Sequence, residues 1–176
     1  MKIVSPEIIH KSDAGGVKVN LNNEEAVREA YRTILANAKN YKADANIHGL
    51  AIQEMAPSGT EVIVGSVNDP SFGPTIMFGL GGIFVEVLKD VTFRVAPVNK
   101  SQIEQMLTEI RGAPVLNGVR GEPARDRAAL VDLLYKYAIM VSDLADEIAE
   151  TDANPVLLYE EGKGLKVVDA RVILKK

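Results

Sequence analysis

The chain has 176 residues, room for one domain with a real core or for two small lobes. It is 47% hydrophobic and 25% charged, with a net charge of −4 and no basic stripe interleaved with aromatics, which argues against a nucleic-acid surface. It has no cysteine and two histidines, His10 and His48, which excludes disulfides, thiolate catalysis and Cys-type zinc sites and weighs against a multi-histidine metal centre. No apolar run approaches the ~20 residues of a membrane span, and Met1 does not lead into a secretory signal. A cytoplasmic protein with no membrane or nucleic-acid partner is expected.

Residues 2–5 read as a short strand closed by Pro6, and residues 17–21 as a second strand after Gly15-Gly16. A chain that opens inside a strand is expected to lack its lead-in elements. The spacing of Ala26, Val27, Ala30, Tyr31, Ile34, Leu35 and Ala38 marks one face of a helix, with Asn22 and Glu25 at its start. Residues 50–55 and 61–68 read as strands joined by the turn Ala56-Pro57-Ser58-Gly59. Residues 83–95 alternate as one long strand with Glu86, Asp90, Thr92 and Arg94 on its polar face. Ser101 and Glu104 suggest a capping box, and the following helix carries Ile103, Met106, Leu107 and Ile110. Residues 112–121 read as a loop. A long helix is expected within residues 123–150, where a stripe from Leu130 to Ile148 reads as core packing. Residues 152–159 and 165–174 then form a hairpin around Gly162. The expectation is an α+β fold with largely antiparallel sheets in two lobes, about 1–55 and 56–176.

Three groups of residues could carry chemistry. In the first, Lys2 precedes His10-Lys11-Ser12-Asp13-Ala14-Gly15-Gly16. This is not a Walker loop, because the element after Gly16 reads as a strand. A glycine pair between strands serves equally as a plain hairpin turn or as an anion nest, and the residues alone leave both open. A lone histidine is most often a surface or core residue. His10, beside Lys11, Ser12 and Asp13, has company suited to a phosphoryl acceptor, and neutral imidazole is nucleophilic near pH 7. His48 lacks such neighbours and reads as structural. In the second group, Asp152 and Asn154 share a strand face, Asp169 and Arg171 share another, and Asn154 falls nearly opposite Asp169. A carboxylate and an amide oxygen on adjacent strands suit Mg²⁺, and an exposed polar face explains them too. In the third, Gln53-Glu54-Met55 followed by Glu61 could line an adenine slot and accept from ribose hydroxyls.

Together these segments resemble one family, the ATP-grasp β subunit of ADP-forming acetyl-CoA synthetase, in the NDP-forming acyl-CoA synthetase superfamily. The matching stretches are residues 2–17, Glu-Val-Ile-Val-Gly at 61–65, Phe-Gly-Pro at 72–74, residues 78–91, Arg-Val-Ala-Pro at 94–97, Gly-Val-Arg-Gly at 118–121, Asp-Ala-Asn-Pro at 152–155 and Val-Asp-Ala-Arg at 168–171. They run through the whole chain in the family's order. The resemblance implies an ATP-grasp fold lacking its N-terminal elements. It implies Lys2 and the Gly15 and Gly16 backbone on nucleotide phosphates, Glu54 and Met55 against adenine, and Glu61 on the ribose. It implies Asn154 and Asp169 as Mg²⁺ ligands, His10 as a phosphohistidine, and Asp152 as the acid that faces the phosphohistidine loop. Glu86, Asp90 and Arg94 match a family segment without an assigned role.

The reaction so implied converts acetyl-CoA, ADP and phosphate to acetate, CoA and ATP, with a CoA-binding α subunit as partner in an α2β2 assembly. The alternative is a non-catalytic, truncated module that binds nucleotide or a partner. A carboxylate–amine ligase, which transfers phosphate directly to its substrate, would need no relay histidine, so His10 speaks against it.

Overall fold

The structure, a computed structural model, describes residues 1–119 and 121–175, with the side chains of Ile83 and Glu86 outside that description. Its elements fall into two units, Met1–Ala56 and Pro57–Lys176. In the first unit, strand β1 (Lys2–Val4) is followed by helix α1 (Glu24–Tyr41) and strand β2 (Gly49–Ala51). β1 and β2 pair antiparallel, Lys2 opposite Ala51 and Ile3 opposite Leu50. β1 turns Ile3 inward, and α1 packs on it with Ile34 and Ala38, which with the buried Ala30 are the inner members of the apolar face expected from the sequence. The helix starts one residue later than expected. Asn23, in an extended conformation, accepts from the Ala26 N–H at 2.8 Å and takes the capping role expected of Asn22.

Two further strand expectations fail here. Only Val17 of residues 17–21 pairs, in a single bridge to Lys2. Leu50 belongs to β2, which pairs with β1 rather than with the strand after the Pro57 turn. A local pattern of apolar residues does not specify a partner, and the nearest edge in sequence is not the one used.

The second unit contains strands β3 (Thr60–Asp69) and β4 (Gly73–Leu80), the short helix α2 (Ile83–Glu86), strand β5 (Val91–Val95) and helix α3 (Lys100–Glu109). A 3-10 helix (Ala113–Asn117), helix α4 (Arg127–Asp143) and strands β6 (Ile148–Leu158), β7 (Leu165–Val167) and β8 (Ala170–Leu174) complete it. The sheet is antiparallel, in the order β5-β4-β3-β6-β7, with β8 also on β6. One face, with Val62, Val64, Ile76, Phe78 and Leu80, packs against Ile103, Met106 and Leu107 of α3 and Leu130 and Leu134 of α4, all essentially inaccessible to solvent. Period-2 alternation leaves Thr75, Met77 and Phe93 on the other face.

The long strand expected over 83–95 is broken into α2 and β5. The break has a physical cause. Asp90 is buried, and its carboxylate accepts from the backbone N–H groups of Arg111 at 2.8 Å and Gly112 at 2.7 Å, so it anchors a loop instead of lying on a polar strand face. Thr92 is likewise buried and donates to Glu109, which Arg94 also contacts. The Glu86 side chain and Arg120 of the Gly-Val-Arg-Gly segment lie outside the described residues. The capping box sits two residues before its expected place, where Asn99 and Gln102 exchange bonds of 2.9 Å. The loop after α3 contains the 3-10 helix. The helix whose apolar stripe was expected to reach Ile148 stops at Asp143, and Ile148 opens β6.

Asp126 caps α4 and ties it to the β6–β7 turn. Its two oxygens accept from Ala129 N at 3.0 Å and Gly164 N at 2.8 Å, and these bonds hold its carboxyl below the usual range. A carboxylate whose folded-state pKa is lowered stabilises the fold above its ordinary pKa, and that contribution is lost as pH falls through the lowered value. Asp126→Ala is expected to cost about 1–3 kcal/mol, from the lost cap and the orphaned Gly164 N–H. Urea unfolding of both proteins checks it: the gap between them closes as pH falls into the acid range.

Candidate functional site

In the first unit the loop between β1 and Val17 is held at its base by Ile3 N to Gly16 O, 2.8 Å, and Lys18 N to Met1 O, 2.9 Å. Ile8 and Ala14 anchor it in the small core, while His10 stands exposed at its rim. Among the described residues no hydrogen bond ties the His10 ring. By contrast the His48 ring lies 3.1 Å from the Asn46 amide nitrogen. Lys2, with Ile3 turned to the core, projects from the opposite side of β1, between the backbones of Ala51 and Val17.

The amides of the glycine pair bond within the loop. Gly15 N donates to Ser12 O at 2.9 Å and Gly16 N donates to Lys11 O at 2.7 Å, so both amides close the loop instead of opening toward an anion. The need for glycine is steric. Gly15 has φ +60°, and a Cβ there would lie 2.6 Å from Asn37 Nδ2, whose amide donates to Gly15 O. A Cβ on Gly16 would lie 2.6 Å from Ile3 Cγ2 and 3.0 Å from the Lys11 carbonyl. Gly16→Ala is expected to destabilise by about 1–3 kcal/mol, the usual cost of forcing a group into a filled core. Thermal unfolding of the variant measures it.

Glu54 and Met55 are exposed in the irregular stretch after β2. Glu61 is exposed near the start of β3, beside Gly81, whose N–H donates to Glu61 O at 2.7 Å.

The second unit brings Asp152, Asn154 and Asp169 together. Along β6 the ladder with β3 pairs Gly65 with Asp152 and Val64 with Ala153, then shifts so that Val62 pairs with Val156. Asn154 and Pro155 thus oppose the single residue Ile63, a β-bulge. Both Ala153 and Val156 remain inward, and Asn154 emerges exposed between them. On its other edge Asn154 N donates to Asp169 O at 3.0 Å and Val168 N donates to Pro155 O at 3.0 Å. The strand expected over 165–174 is interrupted here, where Pro155 has no N–H to give. The cross-strand placement of Asn154 beside Asp169 is as the sequence spacing suggests.

Asp152 lies opposite Arg171 on the next strand, and Arg171 Nη2 pairs with Glu150 Oε1 at 2.7 Å. Burial pushes the Asp152 carboxyl up, Arg171 pulls it down, and the Glu150 and Asp169 charges push it up again. This group borders a shallow depression of about 200 Å³ lined by Gly65, Thr75, Met77, Phe93, Glu150 and Asp152. The Arg171–Glu150 pair is absent from the sequence expectations. Extending the register that sets Asn154 opposite Asp169 by two residues would have found Arg171 opposite Asp152.

An amide oxygen and a carboxylate on bonded strands are hard donors, the set that suits Mg²⁺ when substrate phosphates and water complete its shell. No cluster of three or more His, Cys, Asp or Glu ligands occurs among the described residues. A site built wholly from protein ligands of that kind is therefore not what these residues form. No helix among them is long and apolar enough to cross a membrane.

An antiparallel sheet with two helices on one face and a bulged carboxylate–amide strand beside its open face matches a known fold family. The model of the ATP-grasp domain fits residues 1–174, and the chain belongs to that family. Within it the chain is similar to the β subunit of acetate–CoA ligase [ADP-forming] I of Pyrococcus furiosus, 55% identical over 174 residues, which are 99% of this chain and 74% of that one. Acetyl-coenzyme A synthetase 1 of Ca. Korarchaeum cryptofilum, solved with coenzyme A, Ca-AMPCP and HgCl⁺, superposes with a TM-score of 0.93 at 51% identity, covering 99% of this chain and 75% of that one. The same enzyme solved with coenzyme A and Mg-AMPPCP, its phosphohistidine segment pointing towards the nucleotide binding site, gives 0.80 at 47%, covering 99% and 75%.

Proposed function

We propose that this chain is the nucleotide-handling β subunit of an ADP-forming acid–CoA ligase that converts acetyl-CoA, ADP and phosphate to acetate, CoA and ATP. The observation that carries the reading is 55% identity over 99% of the chain to a β subunit of that activity. A CoA-binding α subunit is its partner, in an α2β2 assembly in the cytoplasm.

On the partner, phosphate displaces CoA from the acetyl group and acetyl phosphate forms. A histidine nitrogen there attacks phosphorus, and the bond to the acetate oxygen breaks. His10 takes the phosphoryl group next, a new N–P bond forming as the old one breaks. The terminal oxygen of ADP then attacks, the His10 N–P bond breaks and ATP leaves. His10 suits this role because its ring is exposed and untied on a loop whose base is fixed. Lys2 contacts the nucleotide phosphates, Glu54 and Met55 line the adenine, and Glu61 accepts from the ribose. Asp152 is the acid that faces the phosphohistidine loop. Asn154 and Asp169 would hold Mg²⁺, which supplies charge neutralisation on the phosphate oxygens when bound. Protein chemistry of this kind is mainly positioning and electrostatics.

The test combines the full chain with an α subunit, acetyl-CoA, ADP and phosphate, and follows ATP. ATP formation that requires both subunits supports the reading. Binding of Mg-ADP with no ATP formed overturns it in favour of a binding module.

A further inference from the structure

Three hydroxyls meet on the helix-covered face of the sheet, directly behind the carboxylate strand. Ser66 on β3 and Thr151 on β6 are buried, 7% and 4% exposed, and face each other across the ladder. Their Oγ atoms are 2.5 Å apart. Thr151 Oγ1 also meets the Tyr137 hydroxyl of α4, which lies 3.5 Å from the Val64 carbonyl. Burial pushes the Tyr137 hydroxyl up from its ordinary pKa, so it stays a proton donor. Each hydroxyl has one proton and two lone pairs, so the three satisfy one another only when β3, β6 and α4 are all seated.

The place of this chain of hydroxyls gives it consequence. Thr151 immediately precedes Asp152 and stands three residues before Asn154. The ladder is regular from Glu150 to Ala153 and shifts by one residue just beyond. A one-residue slip of β6 would turn Asp152 to the helix side and Thr151 to the open side, because side chains alternate. Ala153, beside the bulge, and Gly65, opposite Asp152, are the small residues of this stretch of the ladder. Thr151 meets both Ser66 and Tyr137 only in the observed register.

We infer that the Ser66–Thr151–Tyr137 hydroxyl chain locks the register of β6 and so sets the direction in which Asp152 and Asn154 leave the sheet, which makes Tyr137 and Thr151 positioning residues for metal–nucleotide binding. This rests on the reading of Asn154 and Asp169 as the metal seat.

Calorimetric titration of Mg-ADP, and of ADP with EDTA, into the full chain tests it, using Tyr137→Phe, Thr151→Val and Thr151→Ser. Tyr137→Phe and Thr151→Val are expected to weaken Mg-ADP binding by about 10-fold or more, the range seen when outer partners of metal ligands are lost. Their binding of metal-free ADP is expected to match the parent chain, and Thr151→Ser, which keeps the hydroxyl, to restore Mg-ADP affinity. If Tyr137→Phe and Thr151→Val lower the melting temperature and leave Mg-ADP affinity unchanged, the hydroxyls are merely structural and the inference falls while the nucleotide reading stands. If the parent chain binds ADP equally with and without metal, the metal seat falls and the inference with it. Should Tyr137→Phe fail to fold, the Thr151→Val and Thr151→Ser pair decides by the same criteria.

Discussion

His10→Ala is expected to reduce ATP formation from acetyl-CoA, ADP and phosphate by at least about 1,000-fold, because removing a covalent carrier removes the step and not just an interaction. The fold should not notice. His10 is exposed, its ring is untied, and surface changes of this kind usually move stability by no more than about 0.5 kcal/mol. Mg-ADP affinity should stay near that of the parent chain. His48→Ala is the matched control: its ring is tied to Asn46, and ATP formation should survive the change. Steady-state rates and calorimetry on the two variants separate a carrier from a binding group.

Asp169→Ala is expected to lower kcat/KM for Mg-ADP by at least about 100-fold, since even the outer partners of metal ligands are worth 10–100-fold. Its effect on the pH dependence of stability should be of opposite sign to the effect on activity. Asp152 is pushed up by burial and by the charges of Glu150 and Asp169, against the pull of Arg171. A carboxyl with a raised folded-state pKa binds more protons in the folded chain, so stability falls as pH rises from its ordinary pKa through the raised one. Removing the Asp169 charge narrows that window. The variant also loses the bond from the Ala170 N–H to Asp169 Oδ1, 3.2 Å, so the electrostatic effect is read from the pH dependence: its stability should fall less than the parent's as pH rises through the Asp152 window, while its activity is lost. Urea unfolding across pH beside metal-dependent kinetics checks both halves, and Asn154→Ala should share the kinetic loss without the electrostatic gain.

The parts legible in the sequence are those that local rules determine. The inner face of α1, the apolar stripe of α4 and the alignment of Asn154 with Asp169 follow from periods of 3.6 and 2 and from counting outward from Gly162. The parts that were not legible depend on distant partners. Residues 83–95 alternate well enough for one strand, but the Asp90 carboxylate is claimed by N–H groups 21 and 22 residues further on. Leu50 pairs back to Ile3, and nothing local in its segment prefers that edge. Gly15 and Gly16 look the same in sequence whether they cradle an anion or make room for Asn37 and Ile3, and only the direction of their amides separates the two. The hydroxyl chain spans 85 residues from Ser66 to Thr151 and has no signature at all. The candidate site was thus readable as a set of side chains. Its supports, Asp126, Tyr137 and the Arg171–Glu150 pair, were not.

The most direct measurement is the location of the transferred phosphoryl group. The full chain, its α subunit and ATP labelled in the γ-phosphate are mixed with Mg²⁺, quenched in base and digested for peptide mapping. The expected result is an acid-labile, base-stable label on the peptide containing His10, absent from His10→Ala and removed by added ADP. Label confined to the partner, or found on His48, while ATP is still made would contradict the account.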